Sequence, residues 1–280
     1  MLVTIDCMRG DHLGIAKGDP KLTPNLDKLA KSGLWFKRAF STSPWTPPSF
    51  KSILASQYPF ARDGYLNVRG WVTLPLLMKA KGYHTAAFHS NAWLTKQFGY
   101  AEGFDHFHYM AKKYEMGLVR KALRKLGVYD IIKTHASADE VTKKAVEHLE
   151  NARKRPFFIW VHYMDAHEPH LGAVDFLSKL NRRRIIKLKE ATTKARKGRV
   201  SGKIIEEFHK NYCKELRFID KNFGLLVEAL GDMGALEETL IVVLGDHGQA
   251  FFEHGRFGHG VELYNELIHV PLVLHGPNVD

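Results

Sequence analysis

Three short apolar runs in this chain each end on a group that carries charge or lone pairs. Leu2–Ile5 runs into Asp6, Phe157–Val161 into His162, and Leu240–Leu244 into Gly245-Asp246-His247. Unbroken runs of this length, without polar alternation, suit strands covered on both faces, as in parallel sheets. Thr85–Phe88 is a fourth run, and the stretch from Val270 to the end of the chain holds another. Between them lie helical patterns. Thr23 caps a helix with Pro24 at its first position and Gly33 at its close. A Pro-rich loop over Ser41–Pro48 leads into a helix over Phe50–Ala55. Asp139–Arg153 has Val141, Ala145 and Leu149 on one side, and Ile204–Leu230 is long and amphipathic. Trp35–Phe40 reads as a short strand. Strands alternating with helices predict an α/β fold, a mainly parallel central sheet with helices on both faces. Ligands of such sheets bind beyond the carboxyl ends of the strands, which singles out Asp6, His89–Asn91, His162–His170, Asp246 and His247. No repeat, heptad array, P-loop or GxGxxG pattern is present, so residues 1–280 read as one catalytic-size domain.

The formal charge of +11 suggests nucleic-acid or membrane-surface binding until the charge is located. Twelve Lys/Arg face four Asp/Glu between Asp175 and Lys210, and seven face two between Lys112 and Lys133; the rest of the chain is close to neutral. The first stretch belongs to a basic helical insert over about 172–210, directly behind the His167 segment. Its position suits a collar that draws an anionic ester or anionic polymer toward a site, or a solvated face. Lys112–Lys133 interleaves Leu118, Val119, Leu123, Leu126 and Val128 with its charges, a pattern that can lie on a membrane surface. No recognition motif accompanies the charge, and specific nucleic-acid recognition is not expected. Two distant cysteines, Cys7 and Cys213, form neither a disulfide framework nor a thiolate zinc site. The strand-like runs at both ends read as a chain truncated from a longer one. With no leader and no spanning run in it, the cytoplasm is the expected compartment.

Asp6, Asp246 and His247 offer oxygen and imidazole ligands from strand ends that a parallel sheet brings together. Such a donor set suits one divalent ion, Mn²⁺, Mg²⁺, Ca²⁺ or Zn²⁺. Each residue taken singly could equally cap a helix or satisfy loop backbone. Thr46, in Trp45-Thr46-Pro47-Pro48-Ser49, would by itself be a helix cap. Beside a divalent ion its hydroxyl becomes a candidate nucleophile, with a helix N-terminus behind it to favour an anion.

Six segments in order carry a resemblance. They are Asp6-Cys7-Met8-Arg9-Gly10-Asp11-His12-Leu13-Gly14; Thr23-Pro24-Asn25-Leu26-Asp27; Thr46-Pro47-Pro48-Ser49; Gly82-Tyr83-His84-Thr85 with Gly103-Phe104-Asp105; His162 to Pro169; and Gly245-Asp246-His247-Gly248. Over most of its length the chain resembles the sulfatase branch of the alkaline phosphatase superfamily. The resemblance implies an alkaline phosphatase-like fold, metal ligation by Asp6, Asp246 and His247, and a nucleophile at Thr46. It implies further that His167 and His259 contact the transferred group or the leaving oxygen, and that Asn91 faces the substrate's oxyanion. Arg9 and Arg256 follow as residues that contact the substrate or support those that do.

The departures narrow the expectation. Sulfatases carry Cys or Ser at the Thr46 position, converted to formylglycine, with an Arg at the Phe50 position; threonine cannot form that aldehyde hydrate. Threonine serves as nucleophile in phosphodiesterase, phosphonate-hydrolase-like and phosphoglycerol-transferase relatives. The expected activity is therefore metal-dependent cleavage or transfer of an anionic ester at phosphorus, a phosphomonoester, phosphodiester or phosphonate. The alternatives are a sulfatase without formylglycine and a non-catalytic binding protein of the same fold. Many sulfatases have a second Asp where Cys7 stands, and that loss favours a single ion. Asp165, His167, His170 and His259 would be the residues for a second one. His254, His269 and His275 read as structural.

Overall fold

The computed structural model describes residues 1–17, 19–61, 64–111, 135–151, 156–170 and 190–279. The expected membrane-surface segment Lys112–Lys133 and the first part of the basic insert lie outside the described residues. Eleven strands are described: β1 (Leu2–Ile5), β2 (Leu34–Trp35), β3 (Ala39–Phe40), β4 (His84–His89), β5 (His106–Tyr109), β6 (Phe157–Tyr163), β7 (Ile241–Gly245), β8 (Ala250–Phe251), β9 (Phe257–Gly258), β10 (His269–Val270) and β11 (Leu272–His275). Seven form one sheet in the order β2-β11-β7-β1-β6-β4-β5. The five from β7 to β5 run parallel, and β11 lies antiparallel between β7 and β2.

The helices are α1 (Gly14–Lys17), α2 (Pro24–Lys31), α3 (Thr46–Ala55), α4 (Leu74–Ala80), α5 (Ala138–Asn151), α6 (Gly202–Asp232) and α7 (Asn265–Ile268), with a further helical segment over 190–196. Side chains alternate across a strand, and here both faces are apolar. Val3, Ile5, Ala86, Phe88, Ile159 and Val161 join α2, α5 and α6 in one core. Leu2, Ala87, Phe158 and Trp160 join Phe50 and Leu54 of α3 in the other, with Leu74 and Met78 of α4 against it. The α/β architecture with helices on both faces is thus observed.

The 31-residue α6 spans about 46 Å at 1.5 Å per residue. Its buried stripe, Phe208, Tyr212, Leu216, Ile219, Phe223, Leu226 and Leu230, advances by three or four residues, one helical face. The same face carries Asp220, whose two carboxylate oxygens accept from the backbone N–H of Leu26 (2.8 Å) and Asn25 (3.1 Å) at the start of α2. The cap of α2 is therefore supplied across the core. Thr23, expected to cap it, instead donates its hydroxyl to Asp27 Oδ1 (2.9 Å) and accepts from Gly14 N–H (2.7 Å). Gly33 does not end α2 in a left-handed turn either. A Cβ there would stand 2.2 Å from the carbonyl oxygen of Leu274, so glycine is what lets the chain pass β11. Among the described residues no helix is long and apolar enough to cross a membrane.

Candidate active site

The carboxyl ends of β1, β7, β6 and β4 open on one place, on either side of the central strand β1. Asp6 leaves β1 and is followed by Cys7 at φ 60°, a left-handed conformation that costs a non-glycine residue of order 1 kcal/mol or more. The turn directs Cys7 N–H to Asp246 Oδ1 (3.2 Å) and Cys7 Sγ to Asp6 Oδ1 (3.0 Å). Asp246 and His247 follow β7, and His247 N–H also donates to Asp246 Oδ1 (2.8 Å). Gly248 completes that turn because a Cβ would meet the Glu266 carbonyl oxygen at 2.1 Å.

Thr46 is the first residue of α3, and only 5% of it is exposed. Its hydroxyl lies 3.4 Å from Asp6 Oδ2 and 3.2 Å from His247 Nε2. The approach to α3 is held by serines: Ser41 and Ser49 both donate to the Ser43 carbonyl, at 2.8 and 2.9 Å. Pro47 and Pro48 occupy the first turn, where a missing N–H costs nothing. The helix begins at Thr46, four residues before the expected Phe50, because these prolines are helical.

Asp6, Asp246 and His247 are all wholly buried, as is His162. His162 Nδ1 lies 2.8 Å from Thr4 Oγ1, which itself accepts from Trp160 Nε1 at 2.9 Å. With Thr4 donating to Nδ1, the ring proton sits on Nε2, which points at Asp6 Oδ2 from 3.6 Å. Asn91 Nδ2 donates to the same oxygen at 3.1 Å while its Oδ1 accepts from Trp93 N–H at 2.9 Å. The amide expected to face substrate is therefore engaged with Asp6. Arg9 is engaged too. Its guanidinium holds Asp11, the Gln249 carbonyl and Glu253. Arg256, 3.2 Å from Glu262, lies on the exposed side.

His259 follows β9 and reaches Gln249 Oε1 with Nδ1 (2.8 Å). Its ring centre is 4.6 Å from that of His247 and 5.0 Å from that of His167. Cys7, His167 and His259 present ligand atoms within 4.8 Å of one another, as do Asp6, Cys7 and His247. Asp165 and His170 are in neither group; His170 is turned to Glu215 of α6 (2.9 Å). His254 stacks on Tyr264 and His269 meets the Lys37 carbonyl. Arg196, from the described part of the basic insert, pairs with Glu168 beside His167.

Electrostatics define what this cluster can hold. Burial, then the nearby Asp6 charge, pushes the Asp246 carboxyl well above the usual range. Asp6 suffers the same burial, but the adjacent His162, His167 and His247 rings hold its carboxyl well below it. Burial lowers His247, and burial with the neighbouring His247 and His167 lowers His259 strongly. Burial, then Asp6 and Asp246, raises the Cys7 thiol well above its usual value, so Cys7 is a neutral thiol rather than a nucleophilic thiolate. Asp246 Oδ2 is buried without a hydrogen-bond partner. Two buried carboxylates, a neutral imidazole and an orphaned carboxylate oxygen fit a divalent cation, whose charge would let both acids ionise.

Three groups here had no sequence signal as a set: the Trp160–Thr4–His162 chain behind Asp6, Gln249 behind His259, and an aromatic wall beside Thr46. The wall comprises Trp45 with Tyr65 (5.2 Å between ring centres) and Trp93 (6.4 Å).

Among known proteins, an uncharacterized sulfatase, YidJ, of Escherichia coli is 24% identical over 99% of this chain and 62% of its own length. Human iduronate 2-sulfatase is 24% identical over 99% of the chain and 59% of its own. The chain thus spans about six tenths of these relatives. Its fold matches a phosphonate monoester hydrolase of Agrobacterium radiobacter (TM-score 0.71, 21% identity, 99% of this chain and 67% of that one). It also matches the lipoteichoic acid synthase LtaP of Listeria monocytogenes (TM-score 0.67, 18% identity, 100% and 65%). The sulfatase family model matches residues 1–280, and the chain belongs to the sulfatase family of the alkaline phosphatase superfamily.

Proposed function

We propose that this chain carries the catalytic centre of a metal-dependent hydrolase or transferase that cleaves an anionic ester at phosphorus through a covalent intermediate on Thr46. The observation that carries the reading is the Thr46 hydroxyl between Asp6 Oδ2 and His247 Nε2, at 3.4 and 3.2 Å, at the head of a ten-residue helix. Asp6, Asp246 and His247 would hold the ion. Bound there, a divalent cation supplies Lewis acidity to the adjacent oxygens and makes the hydroxyl acidic. Thr46 Oγ1 attacks the central atom in line with the leaving oxygen, its proton passes to the Asp6 carboxylate beside it, and the bond to the leaving group breaks, the departing alkoxide taking a proton from water. His167 and His259 line the side where the equatorial oxygens gather charge; Nδ1 of each donates to a protein oxygen, Glu168 O and Gln249 Oε1, so Nε2 donates to them only when the ring takes up a proton. Water then attacks the Thr46 ester; an acceptor alcohol in its place makes the enzyme a transferase. The ester's organic group lies against Trp45, Tyr65 and Trp93.

Thr46 is also what separates phosphorus from sulfur chemistry. Its Cβ bears a methyl group and cannot become an aldehyde hydrate, and Phe50, buried against Trp160 and His162, offers no charge to support one. The test compares nitrophenyl phosphate, phosphodiester, phosphonate and sulfate esters with metal-loaded protein. Faster turnover of a phosphorus ester is expected. A clear preference for the sulfate would overturn the reading in favour of a formylglycine-independent sulfatase. No turnover of any of the four by metal-loaded protein would favour a binding protein.

A further inference from the structure

A second cluster of nitrogen ligands lies on the face of β4 and β5 that α5 covers, where His106 pairs in register with Ala86 and His108 with Phe88. His106 and His108 alternate with Phe107 on β5, the edge strand, so both rings fall on one face of the sheet. His148, in the last turn of α5, comes down on that face. One ring nitrogen from each of the three lies within 4.8 Å of the others. His84, the first residue of β4, completes the group: its Nε2 is 3.0 Å from His148 Nε2, and the two rings stack 5.1 Å apart.

We propose that His106, His108 and His148 form a second divalent-cation site, suited to a late first-row ion such as Zn²⁺ and independent of the centre at Thr46. The donor chemistry sets the choice of ion. All three ligands are imidazoles, which suit zinc, nickel and copper, whereas Mg²⁺ and Ca²⁺ take oxygen ligands. The 4.8 Å spread contracts to the ~3.3 Å nitrogen–nitrogen spacing of a tetrahedron with zinc–nitrogen bonds of about 2.0 Å by ring rotation on a partly open surface. The fourth position is left for water.

Supporting groups are in place. His84 holds the His148 ring, and Asp105 Oδ2 stands 3.8 Å from His84 Nδ1, a negative charge near the cluster. The nearby cations are compensated: Lys79 pairs with Asp105 at 2.8 Å and Lys144 with Glu147 at 3.0 Å. An ion here would tie β5 to α5, fastening the edge strand.

The experiment strips the protein with a chelator and titrates it with Zn²⁺ alone, by equilibrium dialysis and by thermal melting. Asp246→Asn, which disables the first centre, serves as one background and the wild type as the other. In both, H106Q/H108Q is expected to lose one zinc equivalent per chain. In the Asp246→Asn background it should also lose the melting-temperature rise, roughly 5 °C at a hundredfold excess over Kd, and in the wild-type background the part of that rise due to the second ion. His148→Gln should do the same through another element, and covers the case in which the double variant folds poorly. Hydrolysis by the H106Q/H108Q chain should remain at the wild-type level. Equal zinc stoichiometry in the folded variant and its parent would overturn the proposal.

Discussion

The hydroxyl of Thr46 stands 3.2 Å from Nε2 of His247, although 201 residues separate them in sequence. The end of β7 and the start of α3 meet at that contact, and the proposed chemistry depends on it. Thr46→Ala removes the hydroxyl and little else, because α3 keeps its prolines and the serine-bound loop before it. Turnover is expected to fall at least about a thousandfold with the melting temperature nearly unchanged, as for loss of a covalent nucleophile. Thr46→Ser should retain part of the rate. Steady-state kinetics with the preferred nitrophenyl ester decide it, and an alanine variant with wild-type kcat would remove Thr46 from the mechanism.

Behind Asp6 the Trp160–Thr4–His162 chain fixes which carboxylate oxygen faces outward. His162→Gln cannot reproduce a ring that accepts from Thr4 and points an N–H at Asp6. Supporting partners of metal ligands typically contribute about 10–100-fold in affinity, and that range is the expected weakening of the first ion. Competition with a calibrated chelator reads it directly; unchanged affinity would show that Asn91 alone orients Asp6.

The convergence of Asp6, Asp246 and His247 was legible because they stand just past apolar runs, and a parallel sheet delivers such positions to one edge. Thr46 was legible through its family resemblance, while its two prolines disguised the first turn of α3 as loop. β5 escaped notice: four residues of alternating histidine and aromatic character on a sheet edge carry no apolar run, so the histidine cluster could not be read either. Arg9 was expected to touch substrate or to support residues that do, and its partners Asp11, Gln249 and Glu253, which converge on it in three dimensions, could not be read from its place in the first motif. Asp220 was invisible for a similar reason, since its partner lies 195 residues away.

That distance makes Asp220 a test of the fold rather than of the chemistry. Asp220→Ala leaves two N–H groups at the start of α2 without acceptors. Caps of this kind contribute about 0.5–2 kcal/mol, and with two bonds to a buried carboxylate the upper end is expected. Urea denaturation should show the midpoint falling while kcat of the folded protein holds. A stability equal to wild type would mean that Thr23 or water takes over the cap.

Trp93 separates binding from chemistry. It is 47% exposed, two residues beyond Asn91, and its ring faces Trp45. Trp93→Ala should raise KM several-fold for esters with a bulky organic group and leave kcat nearly constant, the pattern for an interaction made equally in ground and transition states. A fall in kcat for all esters alike would instead indicate that Trp93 acts through the Asn91 amide its backbone N–H engages.

Asp246 gives the sharpest electrostatic expectation, because removing its charge should act oppositely with and without the ion. In the metal-free chain Asp246 is buried beside Asp6, and burial together with that charge disfavours its ionisation. An asparagine at this position keeps an oxygen that can accept from Cys7 and His247 N–H, the two bonds Asp246 Oδ1 makes at 3.2 and 2.8 Å. It relieves the repulsion. Metal-free Asp246→Asn protein should therefore melt at or above the wild type, by an amount of order 1 kcal/mol. With saturating divalent ion the order should reverse, because the wild type gains binding free energy that the variant has lost. Melting curves of the two proteins, each with chelator and with metal, provide the four values needed. If the variant is the less stable protein under both conditions, Asp246 is a structural hydrogen-bond acceptor and the cation belongs elsewhere.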